Sequence, residues 1–384
     1  MKQHNYSTPA VFISACAGMA FFGVAMLSLG PILGPLTELV EGANALPSTM
    51  SIGIIVGTLL FGPIVDKFGY KWLLIASSIL ALCGVQGLAN FREIGLLHAS
   101  MFCLGLGGGI LNGETNALVS DIYDDDHRGG KLGLLGAFYC IGALLWTLLN
   151  YFIAEFIIPL NVISGIMVLF IIYFCAISFP KAKPAESVSL RKSLGLLKYP
   201  VLLLFGFILF FQSGFEGASG SFTVSFLGGH AGMAQATATL AMTWFTIGML
   251  AGRIPLGAIM KRLHDLGTLY LYLLTAAVGV GLFAFLSDSV VAVYAAMALI
   301  GFGVGATYPV VLNFIGGTFR ELSGTAFSIA LFIALVGQYI FNYFTGAAFA
   351  EGQYMFLPIA LGVALVMMML LVPATLGIAK RMKK

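Results

Sequence analysis

Two glutamates stand in the middle of long apolar runs, Glu114 in "GLGGGILNGETNALV" and Glu216 in "FFQSGFEGASGSFTV". A low dielectric disfavours the charged form of a carboxylic acid. Acids so placed usually face a wet cavity or a partner and mark function. The chemistry on offer is proton exchange, in which a glutamic acid takes a proton from one side of an apolar layer and releases it to the other. Glu114 lies ten residues before Asp124, about 15 Å along a helix, and Glu216 lies 18 residues after Lys198, about 27 Å along. Glu114 is the first candidate for a proton site and Glu216 the second. The alternative for either is a structural hydrogen bond.

Polar residues recur at helical spacing around these acids. Gln212, Glu216, Ser219 and Thr223 share one face, as do Gln338, Asn342 and Thr345. Tyr139, Trp146 and Asn150 form another stripe; Asn112 and Asn116 form a fourth, with Glu114 about 200° around the helix from Asn112. Amides donate and accept, which matches hydroxyl groups, and aromatic rings cover the apolar face of a sugar. Trp244, Tyr308 and Asn313 add to this set. The competing reading is glue between helices, worth about 0.6 kcal/mol per hydrogen bond. Arg253, in "GMLAGRIPLG", sits one to two turns from the end of its run, so no basic residue falls near mid-depth and a neutral solute is expected.

These side chains need a scaffold, and composition names its solvent. Of 384 residues, 59% are hydrophobic and 9% charged, against about a quarter charged in soluble domains. The surroundings are a lipid bilayer, and the uninterrupted apolar runs read as helices rather than barrel strands. Twelve spans fall at roughly 9–40, 47–66, 71–90, 95–121, 131–153, 159–179, 199–228, 233–259, 268–286, 290–316, 321–349 and 353–379. The polar stretch 181–198 divides an N-terminal bundle of six, 1–180, from a C-terminal bundle of six, 199–384. With both termini cytoplasmic, the basic residues gather on that side and only Arg92 falls opposite, the positive-inside bias. A bacterial cytoplasmic membrane fits. The net charge of +3 is then a topology signal and implies no nucleic acid.

Several classes drop out. The five cysteines lie within spans without ligand spacing, so no metal is expected. "GLGGG" sits inside a span, where it cannot cradle a phosphate. No catalytic constellation and no cofactor site are present, so an enzyme is not expected. A single copy should suffice.

Shifting the chain by 195 residues lays Gly57 and Gly62 on Gly252 and Gly257, and Gly129 and Gly142 on Gly324 and Gly337. A shift of 196 lays "GLGGG" (Gly105, Gly107, Gly109) on "GFGVG" (Gly301, Gly303, Gly305). The two halves repeat.

"GPIVDKFGYK", Gly62 to Lys71 and including Asp66, Lys67 and Gly69, follows the second span and resembles the signature loop of the major facilitator superfamily, G-x-x-x-D-(R/K)-x-G-x-(R/K). "GLGGGILNGETNALV", "GKLGLLGAFYCIGALL" and "GFEGASGSFTVSFL" are similar to the fucose–galactose–glucose:proton symporters. The chain departs from them in having no carboxylate in its first span, Leu118 where an asparagine is usual, and Tyr139 in place of an asparagine. The resemblance implies an all-α membrane protein of twelve helices in two pseudo-symmetric bundles, moving a neutral monosaccharide with protons by alternating access. The alternative is a drug or metabolite exporter of the same fold.

The repeat also predicts a gate. Asp66 and Lys67 correspond to Lys261 and Arg262, and the segment opening the fifth span is acidic through Asp124, Asp125 and Asp126. Asp66 is expected to meet Arg320 or the N-terminal dipole of the eleventh span. Lys261 and Arg262 are expected to meet the aspartates.

Overall fold

A computed structural model describes residues 6–29, 32, 36, 39–153, 155–181 and 195–382. Most of the expected linker 181–198 lies outside the described residues. Among the described residues the regular structure is helical throughout, in the order α1 (Thr8–Leu27), α2 (Leu46–Phe68), α3 (Tyr70–Asn90), α4 (Ile94–Ile122), α5 (Asp125–Phe152), α6 (Ile157–Ala176), α7 (Pro200–Gly229), α8 (Gln235–Arg253), α9 (Leu256–Phe285), α10 (Val290–Val304), α11 (Thr307–Thr318), α12 (Ser323–Ala350) and α13 (Phe356–Met382). Among them, 11 spans are long and apolar enough to cross a membrane, α10 and α11 counting as one. The helix left out is α8, cut to 19 residues before Pro255 and carrying Gln235, four threonines and Arg253.

The expected tenth span is two helices. Pro309 lacks an N–H and its ring crowds the carbonyl four residues back; the helix accordingly opens into a turn at Gly305 and Ala306. The expected eighth span likewise breaks at Ile254–Pro255 and resumes as the start of α9, which kinks at His264 (φ 56°, ψ 175°). His264 is the counterpart of Gly69 under the 195-residue shift, and Gly69, between α2 and α3, has φ 81° and ψ 178°.

The chain clusters into two compact units. The first comprises Met1–Asp124, Phe138–Gly195 and Phe319–Ser328. In it α4 is the hub, packed on α1, α2 and α3. The glycine run explains the closeness: a Cβ at Gly107 would stand 2.5 Å from the Ser77 carbonyl oxygen on α3, and Gly105 and Gly109 rest on the α2 backbone at Met50 and Ile54. Small residues are what let helices approach this way in lipid.

The second unit comprises Asp125–Ala137, Leu196–Thr318 and Ile329–Lys384. Its hub is α10, packed on α8 and α9, while α7 packs on α13. Gly301 rests on the α8 backbone at Phe245, and a Cβ at Gly303 would stand 2.6 Å from the Tyr272 carbonyl oxygen on α9. The same packing therefore recurs in both units.

Candidate functional site

Glu114 is 1% exposed, on the side of α4 that meets α3. Its Oε1 accepts a hydrogen bond from the Ser77 hydroxyl at 2.7 Å, while Oε2 is buried with no partner. α4 runs unbroken through its glycines, so the amides do point elsewhere: Asn116 Nδ2 donates to the Asn112 carbonyl at 2.7 Å and to Asn112 Oδ1 at 3.3 Å. Gly108, one turn before Asn112, faces Phe22 and Ala25 of α1. The acid and the amides thus serve different neighbours.

In the second unit, α7 presents its polar stripe to the break between α10 and α11. Gln212 Nε2 donates to the Val304 carbonyl at 3.0 Å, and Ser213 hydrogen-bonds the Tyr308 hydroxyl. The break thereby has its polar backbone served, as irregular structure at membrane depth requires. Glu216, half-buried and one turn on, has the Gln212 side chain and the Arg253 charge as neighbours. Gln212 Oε1, Ser219 Oγ, Thr223 Oγ1 and Thr307 Oγ1 are buried without partners, the mark of a polar interior fit for water or solute hydroxyls.

Arg253 corrects the expectation of a uniformly uncharged mid-depth. Its Cα ends α8, yet the side chain is 6% exposed and its Nη1 donates to the Gly136 carbonyl at 2.6 Å. Gly136 lies eleven residues into α5, about 16 Å from the helix start. Absence of a buried cation therefore no longer argues for a neutral solute. The Arg253 charge also acts on Glu216.

The signature turn holds a buried anion. Asp66, 1% exposed, accepts from Gly324 N at 3.2 Å, Thr325 N at 2.8 Å and the Thr325 hydroxyl at 2.8 Å. Unpaired N–H groups and the dipole at the start of α12 suit a carboxylate. Beside it Asp121 accepts from the Ser323 hydroxyl at 2.7 Å and from Tyr70 Oη at 2.6 Å. Lys67 Nζ lies over its neighbour Phe68, 5.2 Å from the ring centroid. Asp125 pairs with Arg128 at 2.6 Å, and Asp124, Asp126, Lys261, Arg262 and Arg320 are exposed.

The remaining expected ligands each have surroundings within their own unit. Tyr139 packs against Phe22, ring centroids 5.5 Å apart. Trp146 is fully buried, so its ring faces are core, and Asn150 Nδ2 donates to its carbonyl at 2.9 Å. Trp244 is 43% exposed and stacks on Tyr294. Asn313 faces Gly129, and Gln338 covers Gly217. Asn342 keeps a buried Oδ1 without a partner. The structure gathers Gln212, Glu216 and Tyr308, with Ser219 two turns up the same face of α7.

Sequence reasoning missed Ser77, Ser213, Asp121 and Arg253. Glycines at every third position, Gly130, Gly133 and Gly136, were a signal for the last, since they leave a track on α5 in which α8 and α9 can lie.

The family model for the Major Facilitator Superfamily matches residues 9–342. Among curated proteins, the glucose transporter GlcP of Staphylococcus epidermidis is 30% identical over 145 residues, covering 36% of this chain and 32% of that protein. A D-xylose transporter of Levilactobacillus brevis is 29% identical over 109 residues, 28% of this chain and 24% of its own. The chain thus spans about a third or less of the length of these relatives. Among solved structures, the E. coli fucose:proton symporter FucP superposes with a TM-score of 0.80 at 18% identity, covering 97% of this chain and 99% of that one. The proton:xylose symporter XylE follows at 0.74 and 14%, with 94% of each chain covered. Fold and sequence agree: this chain belongs to the major facilitator superfamily.

Proposed function

We propose that this chain is a proton-coupled carrier of a neutral monosaccharide in a bacterial cytoplasmic membrane, acting as a monomer with both termini in the cytoplasm and exposing one site to each side in turn. The observation that carries the reading is Glu114, a buried carboxyl with one oxygen held by Ser77 and the other without a partner. A permanent anion there would leave a lone pair set and a charge uncompensated. A carboxyl that gains and loses a proton uses that free oxygen in its neutral form and meets water only when the site opens. The names of the relatives, which concern glucose, xylose and fucose, support a sugar, and Gln212, Ser219, Tyr308, Gln338 and Asn342 offer the donors and acceptors a polyol needs.

Asp66 acts as a latch on the start of α12 in the state described, and transport requires its release. Lys261 and Arg262, with Asp125 and Asp126, form the corresponding electrostatic part of the second unit.

The test is counterflow in proteoliposomes over a panel of sugars, repeated with an imposed pH gradient. Glu114→Gln should still exchange labelled sugar yet no longer concentrate it. A Glu114→Gln carrier that concentrates sugar as the parent does would remove the proposed coupling site.

A further inference from the structure

Ser77 stands between two oxygens. Its Oγ lies 2.7 Å from Glu114 Oε1 and 3.1 Å from the Leu74 carbonyl oxygen, one turn back on α3. All three residues are buried. A serine hydroxyl carries one proton and two lone pairs. It donates to one of these oxygens at a time and stays able to accept. A backbone carbonyl only accepts, whereas a carboxyl accepts when ionised and donates when it holds a proton. With Glu114 ionised, Ser77 donates to Oε1, and a lone pair of the Leu74 carbonyl stands open. With Glu114 protonated on Oε1, the acid donates to Ser77 Oγ, and Ser77 donates to Leu74. A proton on Oε2 would find no acceptor, since that oxygen is buried without a partner.

We infer that Ser77 is a positioning residue that partners Glu114 in both charge states, turning its one proton between Oε1 and the Leu74 carbonyl. Uptake forms the Oε1–H bond with a proton from water. Ser77 keeps its own proton and only rotates about its Cβ–Oγ bond; release reverses both changes. A group that only donates would suit the anion and oppose the acid, and a group that only accepts would do the reverse. A hydroxyl suits both. In the neutral form the three groups make a chain of bonds, acid to hydroxyl to carbonyl, in which each polarises the next. Among the described residues, burial and the Ser77 hydroxyl are what act on Glu114. The titratable groups of the helices packed on α4 are engaged elsewhere. Asp66 of α2 holds the start of α12, and Lys67 lies over Phe68. On α3, Tyr70 donates to Asp121 of α4, and Lys71 donates to the Cys175 and Ile177 carbonyls. Cys16 of α1 acts on Tyr123.

This relay deepens the carrier reading and rests on Glu114 as its proton site, yet its test needs neither sugar nor gradient. Infrared difference spectra of the purified full chain in detergent, acid minus alkaline, show the C=O stretch of each carboxyl that gains a proton. The Glu114 band is the one lost in Glu114→Gln. Hydrogen bonding weakens a carboxyl C=O bond, so in Ser77→Ala that band should move to higher wavenumber. Ser77→Cys, whose thiol is weaker as donor and acceptor, should place the band between the two. The Leu74 carbonyl gives a second readout. In a chain grown with leucine carrying a heavy-carbon isotope at the carbonyl, one labelled amide band should move to lower wavenumber on acidification. That movement should vanish in Leu74→Ile, where the label is lost, and equally in Ser77→Ala and Glu114→Gln. A Glu114 band that Ser77→Ala leaves in place, a Leu74 carbonyl that does not follow the acid, or no Glu114 band at all overturns the relay. Should Ser77→Ala fail to fold, a Ser77→Cys band unmoved from the parent's is the overturning result. If the spectra behave as expected while Glu114→Gln concentrates sugar as the parent does, the coupling reading falls and the relay stands.

Discussion

The two signature turns occupy equivalent places in the repeat and are anchored by opposite chemistry. In the first unit Gly62 crosses Gly324, a Cβ on the former standing 2.6 Å from the latter's carbonyl oxygen; in the second, Gly257 crosses Gly130. The crossing is common to both. What fastens it differs. Asp66 takes backbone N–H groups at the start of α12, whereas its counterpart Lys261 is exposed and the tie is Arg253, eight residues earlier, on a carbonyl deep in α5. The reason lies in the helix each turn meets. α12 begins with Ser323, Gly324 and Thr325 and offers bare N–H groups; α5 begins with Asp125 and Asp126, which already answer the positive end of its dipole. An acid at position 261 would meet like charge. The repeat has kept the close approach of backbones and changed the polar chemistry to suit each partner.

The sharpest way to break this comparison is to exchange the signs. Asp66→Lys removes three acceptor contacts and sets a cation against N–H donors. With about 1.5–3 kcal/mol for each bond to a charged group, initial counterflow rates should fall more than about 100-fold. Asp66→Asn keeps an acceptor oxygen and should lose about tenfold. The mirror change, Lys261→Asp, touches an exposed side chain and should alter rates less than about threefold, in line with 0–1 kcal/mol for solvated charges. Equal losses at 66 and 261 would mean that the turns are functionally alike.

The glycine crossings should behave alike where the charges do not. Gly62→Ala sets a methyl group 2.6 Å from the Gly324 carbonyl oxygen, and Gly257→Ala sets one 2.8 Å from Gly130 Cα. Backbone cannot yield as a side-chain tip can. The alanines gain up to about 1 kcal/mol of helix propensity but cost about 1–3 kcal/mol in overpacking. Both should therefore lower the thermal midpoint in detergent by similar amounts. A drop in only one would show that the shared packing is not shared energetically.

Much of this was legible beforehand, and the exceptions have a common cause. Spans, the repeat and the buried Asp66 follow from hydropathy and from the spacing of "GPIVDKFGYK", both properties of a helix taken alone. The amide and acid faces of α4 also followed, since a helix that stays regular fixes angles. Asp121 did not, because its bonds to Ser323 and Tyr70 join residues 202 and 51 apart in sequence with no local pattern between them. Arg253 was placed by its Cα, near the end of α8, whereas a long side chain can carry its charge several ångströms from that point. Pro309 signals the break before α11, which a long apolar run taken by hydropathy alone does not show.

The smallest expected effect concerns the residue that replaces Gly69 in the second turn. Gly69 and His264 both sit with φ positive and ψ near 180°, a region that only glycine enters freely, costing other residues about 1–3 kcal/mol. Gly69 is buried, so Gly69→Ala should lower the thermal midpoint. His264 is exposed, and its carbonyl accepts from the Thr268 hydroxyl at 2.7 Å, a bond that does not depend on its side chain. His264→Gly therefore relieves the backbone and gives back about 0.5–1 kcal/mol through the freer unfolded chain. The net expectation is stabilisation by about 1 kcal/mol, read as a higher midpoint. Should the midpoint fall instead, the imidazole holds the kink by a contact of its own, and the second turn is fastened at His264 as well as at Arg253.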